Sequence, residues 1–411
     1  MKKIFLFALL LFGRYGFSQS DSALLQKILR NSGDSTLQAV MAAPEKFQLQ
    51  LIYTQIDRNE DNQPAFTTHY LGVDSNLYFY PASTVKMPAA FLALEKLNEL
   101  RIQGLDAETP MFTGKGQTPQ TAVRADTSAA QGLPSVAHYI KKIFLVSDND
   151  AYNRLYEFLG QAYLNEKLQE KGYTRSRIIH RLSAPGYDAE SNRYTNPVTF
   201  SAPGNRLLYH QGEVYSAFES PLQLKQEVRG LGYMDGEGQI VPAPFDFRDK
   251  NYVGLQELHD MLQAVLFPEA VPAHRRFNLR PADYQFLRKY MSMLPRESDS
   301  PAYPQYSDWD SYVKFFLFGD SKAAIPGHIR IFNKVGDAYG FLTDVAYVVD
   351  YENKVEFMVA ANIHVNANQV YNDGVYEYDT IGFPVLAQIG RILYQYELER
   401  ERQYEPIFPE R

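Results

Sequence analysis

The chain contains no cysteine among its 411 residues. This absence excludes disulfides, thiolate zinc sites, iron–sulfur clusters, a cysteine nucleophile and acylation at a lipoprotein-type cysteine. A covalent nucleophile in this protein must therefore be an oxygen or an amine. In an oxidising compartment the fold would depend on packing alone, which a chain of this length permits.

Clustered positive charge and paired histidines are also missing. Lysine and arginine total 41 against 48 aspartates and glutamates, giving a net charge of −7. Nucleic-acid binding requires concentrated positive charge, so we expect no nucleic-acid partner. The eight histidines form no His-x-x-x-His or His-x-His pair. A metallo-hydrolase is therefore disfavoured, and we predict no metal and no cofactor.

Long apolar runs are absent as well. No stretch reaches the roughly 18 apolar residues of a membrane-spanning helix, so we expect no membrane span. Residues 1–19 place two lysines before an apolar run from Ile4 to Phe12. This order is typical of a secretory signal peptide. We expect cleavage near Ser18 to Ser20 and a mature protein that is secreted or periplasmic.

The sequence patterns predict how the mature chain is organised. Strand-like segments lie near both ends, at 47–56, 69–73, 329–334, 343–350 and 355–363. Helical spacing occurs at 22–31, 84–100, 134–172, 254–266, 281–294 and 383–399. These positions predict an α/β (α+β) fold, in which an antiparallel sheet built from both chain ends is flanked by helices and an all-α lobe is inserted.

We predict one catalytic domain over 20–411, acting as a monomer. Its α/β part covers about 20–80 and 310–411, and the helical lobe covers about 83–305. Residues 183–250 are rich in glycine, proline and asparagine, and we interpret them as loops, with an insertion near 201–250.

The first candidate catalytic motif is Ser83-Thr84-Val85-Lys86. A helical turn brings the hydroxyl of Ser83 and the amine of Lys86 to the same face. A neutral lysine can remove the serine proton, and burial or nearby positive charge keeps a lysine neutral. The motif also fits a serine at a helix start beside a solvated lysine. The same pattern occurs a second time, at Ser311 to Lys314.

Two further motifs follow along the chain. In Ser147-Asp148-Asn149 a hydroxyl and an amide can project from one turn into a pocket, with Asp148 bracing the turn. In Lys334-Val335-Gly336, on a predicted strand, Lys334 and Gly336 face the same side. Taken singly, the two motifs also fit a helix cap and an exposed strand lysine before a bend.

In this order the three motifs resemble the active-site signature of class A β-lactamases and penicillin-binding proteins. PASTVKMPAAFLALEKL is similar to the nucleophile helix of that family, VSDNDAYNRLYEFLG to its second loop and helix, and KVGDAYGFLTDVAYV to its third-motif strand. Ser311 to Lys314 follows the second motif and lies in no such helix, so we interpret it as a fortuitous match.

The resemblance implies a role for each motif residue. It makes Ser83 the acylated nucleophile and Lys86 its base, with Ser147 as the proton carrier toward the leaving nitrogen. The substrate-binding positions that it implies are Asn149 for a side-chain amide, Lys334 with Gly336 for the substrate carboxylate and the cleft, and the backbone N–H groups of Ser83 and Asp337 for the oxyanion.

The chain departs from the family pattern in three places. Val335 replaces a hydroxyl residue, and no arginine stands near Leu342 or Thr343. The glutamate expected to activate water for deacylation is missing. Family spacing places this position near His180, and Glu190 is the nearest acid. Our hypothesis is that His180 or Glu190 positions the hydrolytic water; the alternative is that neither does and the acyl-enzyme is long-lived.

The resemblance implies an exported serine hydrolase that opens β-lactam amides through an acyl-enzyme on Ser83. Its partner would be a small-molecule β-lactam or a peptidoglycan-like peptide. A D-Ala-D-Ala peptidase or another amide or ester hydrolase would use the same motifs, and a non-catalytic penicillin-binding scaffold is a further alternative. An α/β-hydrolase is disfavoured because its Gly-x-Ser-x-Gly motif is incomplete at Gly319 to Ala323.

Overall fold

The computed structural model describes residues 22–408, and the expected signal peptide at 1–19 lies outside this range. The α-helices of the described residues are α1 (Ala23–Arg30), α2 (Ser35–Ala42), α3 (Lys86–Leu100), α4 (Val136–Val146), α5 (Asn149–Leu159), α6 (Gln161–Glu170), α7 (Leu255–Leu266), α8 (Pro281–Ser292) and α9 (Phe383–Glu399).

The strands differ greatly in length, from two residues to ten. They are β1 (Gln50–Arg58), β2 (Pro64–Leu71), β3 (Met111–Thr113), β4 (Ser176–Arg177), β5 (Tyr194–Thr195), β6 (Val198–Ala202), β7 (Arg206–Gln211), β8 (Val214–Tyr215), β9 (Val228–Arg229), β10 (Gly232–Met234), β11 (Ile240–Val241), β12 (Phe245–Asp246), β13 (Tyr252–Val253), β14 (Ile329–Ala338), β15 (Phe341–Asp350), β16 (Val355–His364) and β17 (Val370–Tyr371).

Five of these strands form the main antiparallel sheet, in the order β14-β15-β16-β1-β2. The N-terminal pair joins the C-terminal strands where β1 pairs with β16, with Leu51 opposite Ala361. The predicted sheet built from both chain ends, and with it the predicted fold class, is therefore confirmed. Strand β14 forms one edge of the sheet and is free to border a cleft.

Both faces of the sheet are covered. One face packs on the helical lobe, and the other packs on α1, α2 and α9, so β15 is buried at all ten positions. A strand buried on both sides needs a nearly continuous apolar run, and the sequence of β15 supplies it. Helix α9 covers the predicted residues and has a proline in its first turn.

The lobe between β2 and β14 contains α3 to α8. Helix α3 is buried along most of its length, including the side chain of Lys86. The stretch predicted as loops also contains short paired strands, from β7 to β12. One of their partners is remote in sequence, since Gly232 pairs with Val370. Within residues 22–408, no helix has the length and apolarity to cross a membrane.

Candidate active site

Ser83 lies on a short 3-10 turn, Ala82–Val85, and α3 begins only at Lys86. The sequence pattern predicted helix from residue 84. Ala82 has a φ of +46°, and the Thr84 hydroxyl donates to the Pro81 carbonyl at 2.7 Å. The backbone therefore changes direction just before the nucleophile. Ser83 is partly exposed, whereas Ala82 and Thr84 are buried.

Lys86 is the centre of the hydrogen-bond cluster. Its Nζ lies 2.8 Å from Ser83 Oγ, 2.6 Å from Asn149 Oδ1 and 3.2 Å from Ser147 Oγ, and it donates to the Ser147 carbonyl. Burial, followed by the charge of Lys334, holds the pKa of Lys86 well below its usual value. A neutral amine beside the hydroxyl can accept the Ser83 proton.

The second motif forms the turn between α4 and α5. Ser147 ends α4 with a φ of +59°, and Asp148 caps α5 by accepting from the Ala151 N–H at 2.8 Å. Asp148 also pairs with Lys142 at 3.3 Å. The aspartate thus braces the turn, as its position in the motif suggested. This bracing holds the side chains of Ser147 and Asn149 towards Lys86.

The third motif lies on the edge strand β14. Lys334 is buried, and its Nζ donates to Ser147 Oγ and to the Val335 carbonyl, both at 2.8 Å. Burial lowers the pKa of Lys334 to about 7. A Cβ added to Gly336 would lie 2.6 Å from the Pro81 oxygen and 2.7 Å from the Ser83 nitrogen. Only glycine allows the strand to approach the nucleophile turn this closely.

The structure therefore brings the three motifs together. Lys334 and Gly336 approach the other two motifs from the same face of β14, as predicted. Ser147 Oγ is shared by the two lysines, Lys86 and Lys334. The backbone of Ser83 lies beside Gly336, the residue that precedes Asp337 on β14. The two N–H groups implied as oxyanion donors thus belong to adjoining backbone segments.

His180 lies near the nucleophile turn, but its ring makes structural contacts. The ring stacks on Tyr80 with centroids 6.1 Å apart and an interplanar angle of 3°. Burial lowers the pKa of His180 to about 3, so the ring is neutral. Its Nδ1 contacts the Arg181 carbonyl, and its Nε2 is buried without a hydrogen-bond partner in the described residues.

Glu190 is not brought into the cluster. Its side chain is 64% exposed and faces Arg193 at 3.8 Å. Instead, Ser183 contacts the cluster, since its hydroxyl accepts from Asn149 Nδ2 at 2.9 Å. The neighbouring backbone is held by Asn153, which donates to the Leu182 carbonyl at 2.9 Å and accepts its N–H at 2.8 Å.

Sequence reasoning missed Ser183. Its φ of +47° and its place in the loop depend on these distant anchors, and no local motif marks it. The only available signal was its position three residues after His180, in the segment expected to approach the site.

Lys314, the lysine of the second Ser-x-x-Lys pair, lies on the other face of β14. Lys314 is buried and donates to Asn333 Oδ1 at 2.7 Å and to the Met291 carbonyl at 2.6 Å. Asn333 in turn donates to Asp344 at 2.8 Å. This network packs under the strand, and Ser311 donates to the Ser321 carbonyl. In the range 22–408, no group of three histidines or acids is placed to hold a metal ion.

Comparison with known families gives a match over part of the chain. Residues 34–220 match the model described as the Beta-lactamase enzyme family. This range includes Ser83, Lys86, Ser147 and Asn149, and it ends before Lys334. The match confirms the predicted resemblance to the β-lactamase and penicillin-binding family and supports a β-lactamase-like hydrolase.

Solved structures similar to this chain include β-lactamases and one penicillin-binding protein. The structure of PBP-A is 15% identical, with a TM-score of 0.45, over 91% of this chain and 94% of that one. A β-lactamase from Xanthomonas campestris is 15% identical, with a TM-score of 0.46, over 91% and 96%. A β-lactamase from Sphaerobacter thermophilus is 14% identical, with a TM-score of 0.46, over 88% and 96%. A search of the curated proteins gave no match.

Proposed function

We propose that this β-lactamase-like chain is an exported serine hydrolase of the class A type, which opens β-lactam amides through an acyl-enzyme on Ser83. The observation that carries the proposal is the buried amine of Lys86, 2.8 Å from the Ser83 hydroxyl. Its pKa is held low by burial, which is the condition a lysine must meet to act as a base. The motifs alone could not provide this observation.

Acylation follows from the hydrogen bonds of the cluster. Lys86 accepts the Ser83 proton as Oγ bonds to the carbonyl carbon of the amide. The backbone N–H groups of Ser83 and Asp337 stabilise the oxyanion, a contribution of about 10²- to 10³-fold for each donor. The C–N bond then breaks, and Ser147 gives its proton to the leaving nitrogen while it takes one from Lys86. Lys334 keeps the Ser147 hydroxyl in place for this transfer.

The first experiment asks whether Ser83 is acylated. The protein is incubated with a fluorescent penicillin, and its intact mass is followed over time. Ser35, an exposed serine in the first turn of α2, provides a matched control. We expect the label on the wild type and on Ser35→Ala and none on Ser83→Ala. An unlabelled wild type that is folded by circular dichroism contradicts the proposal.

The rate at which the label is lost separates two activities. Rapid release indicates a β-lactamase, whereas persistent label indicates a D-Ala-D-Ala peptidase or a similar penicillin-binding enzyme. The second candidate is favoured by one observation: the loop presents the Ser183 hydroxyl to Asn149, while Glu190 is exposed.

Two variants test the deacylation hypothesis. Each variant, His180→Asn or Glu190→Gln, is treated with the fluorescent penicillin. The lifetime of its acyl-enzyme is then measured by intact mass. A longer lifetime in one variant identifies the residue that positions water. Unchanged lifetimes in both reject the hypothesis and leave Ser183 as the loop residue in contact with the cluster.

A further inference from the structure

A cavity of about 420 Å³ opens beside the catalytic cluster. We call it the leaving-group pocket and define it by six of its lining residues, Ser147, Trp309, Tyr312, Val335, Asp337 and Phe383. It adjoins the edge of β14, and neither Asn149 nor Ser183 is among its walls.

The proposed mechanism says which part of a substrate this pocket receives. Ser147 gives its proton to the leaving atom, so the substituent on that atom must lie beside Ser147. The cavity borders Ser147 on the β14 side. The pocket therefore holds the leaving group, whereas Asn149 and Ser183 lie on the acyl side.

Around Val335 the pocket offers few free donors for a carboxylate. Val335, at the middle of the third motif, has no donor on its side chain and is buried. On the next strand, Thr343 is buried and donates to Asn362 at 3.1 Å. The Ser311 hydroxyl, a further lining group, donates to the Ser321 carbonyl. These hydroxyls are therefore engaged within the protein.

Charge in the pocket also disfavours an anion. Asp337 and Asp379 line it and are exposed. Arg391 neutralises the charge of Asp320, since its guanidinium donates to the Asp320 carboxylate at 2.8 and 2.9 Å. Lys322 is an exposed cation of the lining, and it lies 4.0 Å from the Trp309 ring. A leaving-group carboxylate would face Asp337 without a bidentate partner such as arginine.

Aromatic side chains also line the pocket and form what we call its aromatic wall, and each is supported by a neighbouring ring. Trp309 meets Tyr312 edge to face at 5.2 Å, and Tyr312 stacks on Tyr306 at 4.0 Å. Phe383 meets Phe315 edge to face at 4.8 Å. Rings held in this way present a preformed apolar surface, which favours an aromatic ligand.

We infer that, among acyclic amides and esters, the preferred substrates have an uncharged aromatic amine or phenol as leaving group, selected by the aromatic wall and by Val335. This inference rests on the acyl-enzyme mechanism of the proposed function and adds a class of acyclic substrates for the same site. It differs from the substrate carboxylate that the family resemblance implied as the partner of Lys334.

The test compares two esters with the same acyl group. One carries phenol and the other 3-hydroxybenzoate, so the leaving groups have similar basicity and differ in one carboxylate. We expect kcat/KM to be about tenfold higher for the phenyl ester. Equal values, or a preference for the carboxylate, would overturn the inference.

Three variants assign the preference to the pocket. Trp309→Ala should lower kcat/KM for the phenyl ester by about 3- to 10-fold, mainly through KM, while Trp309→Phe keeps most of it. Val335→Thr should raise kcat/KM for the carboxyphenyl ester. An unchanged ester ratio in both Trp309→Ala and Val335→Thr overturns the inference.

The same reactions separate this inference from the proposed function. The intact mass of the wild type is measured after mixing with each ester. If penicillin labels Ser83 but neither ester does, the inference fails and the proposed function stands; if penicillin also leaves Ser83 unlabelled, the proposed function fails. If both acylate Ser83 without the expected preference, the acyl-enzyme mechanism remains and only the substrate class is wrong.

Discussion

Replacing Gly336 by alanine tests whether the edge strand must touch the nucleophile turn. The added Cβ would lie 2.6 Å from the Pro81 oxygen, 2.7 Å from the Ser83 nitrogen and 2.8 Å from the Thr84 nitrogen. Ordinary contacts begin at 3.4 Å. The strand and the turn must therefore separate by about 0.6–0.8 Å, because all three neighbours are backbone atoms that cannot rotate away.

The separation acts directly on catalysis. It shifts Ser83 relative to Lys334 and to the Asp337 N–H, and a displacement of about 1 Å can cost about 10²-fold in rate. We expect Gly336→Ala to acylate about 10- to 100-fold more slowly. Overpacking should also lower the free energy of unfolding by about 1–3 kcal/mol.

The assay is stopped-flow acylation by a chromogenic β-lactam, with urea unfolding measured in parallel. Gly327→Ala is a suitable control, because an added Cβ at Gly327, two residues before β14, meets no atom within 4 Å. We expect this control to acylate at the wild-type rate. If Gly336→Ala does the same while it remains folded, the close approach of the strand has no role in positioning Ser83.

Two further predictions concern the buried lysines. Lys334→Gln removes a charge that lowers the pKa of Lys86, so the acidic limb of the acylation–pH profile should move to higher pH, whereas the exposed control Lys225→Gln leaves it in place. An unmoved limb would show that Lys334 does not influence the base. Lys314→Met leaves Asn333 and Asp344 without their buried cation and should reduce the free energy of unfolding by about 3–5 kcal/mol in urea. A loss below about 1 kcal/mol would contradict a structural role for this network.

The sequence predicted the parts of the molecule in which local pattern and burial agree. Strand β15 is largely apolar because both of its faces are covered, and α9 has a proline at its start. The sequence also predicted that one site would contain Ser83, Ser147 and Lys334, because their three motifs occur in the order of the family signature.

Other features depended on contacts that no local pattern shows. The two Ser-x-x-Lys pairs look alike in sequence, yet Lys86 faces the cleft and Lys314 is enclosed beneath β14. Ser183 reaches Asn149 because Asn153 fixes the loop from another element. The short strand β10 forms beside β17, so the composition of its own segment could not predict it.

The order of strands in the sheet has a consequence for how the protein acquires activity during synthesis. Lys334 and Ser147 are 187 positions apart, and β14 joins the sheet through β15 and β16, near the end of the chain. Contacts of such long range form slowly because a large loop must close first. A nascent chain therefore contains Ser83 and Lys86 long before Lys334 is synthesised and packed beside them. Covalent labelling of Ser83 would then report that folding is complete.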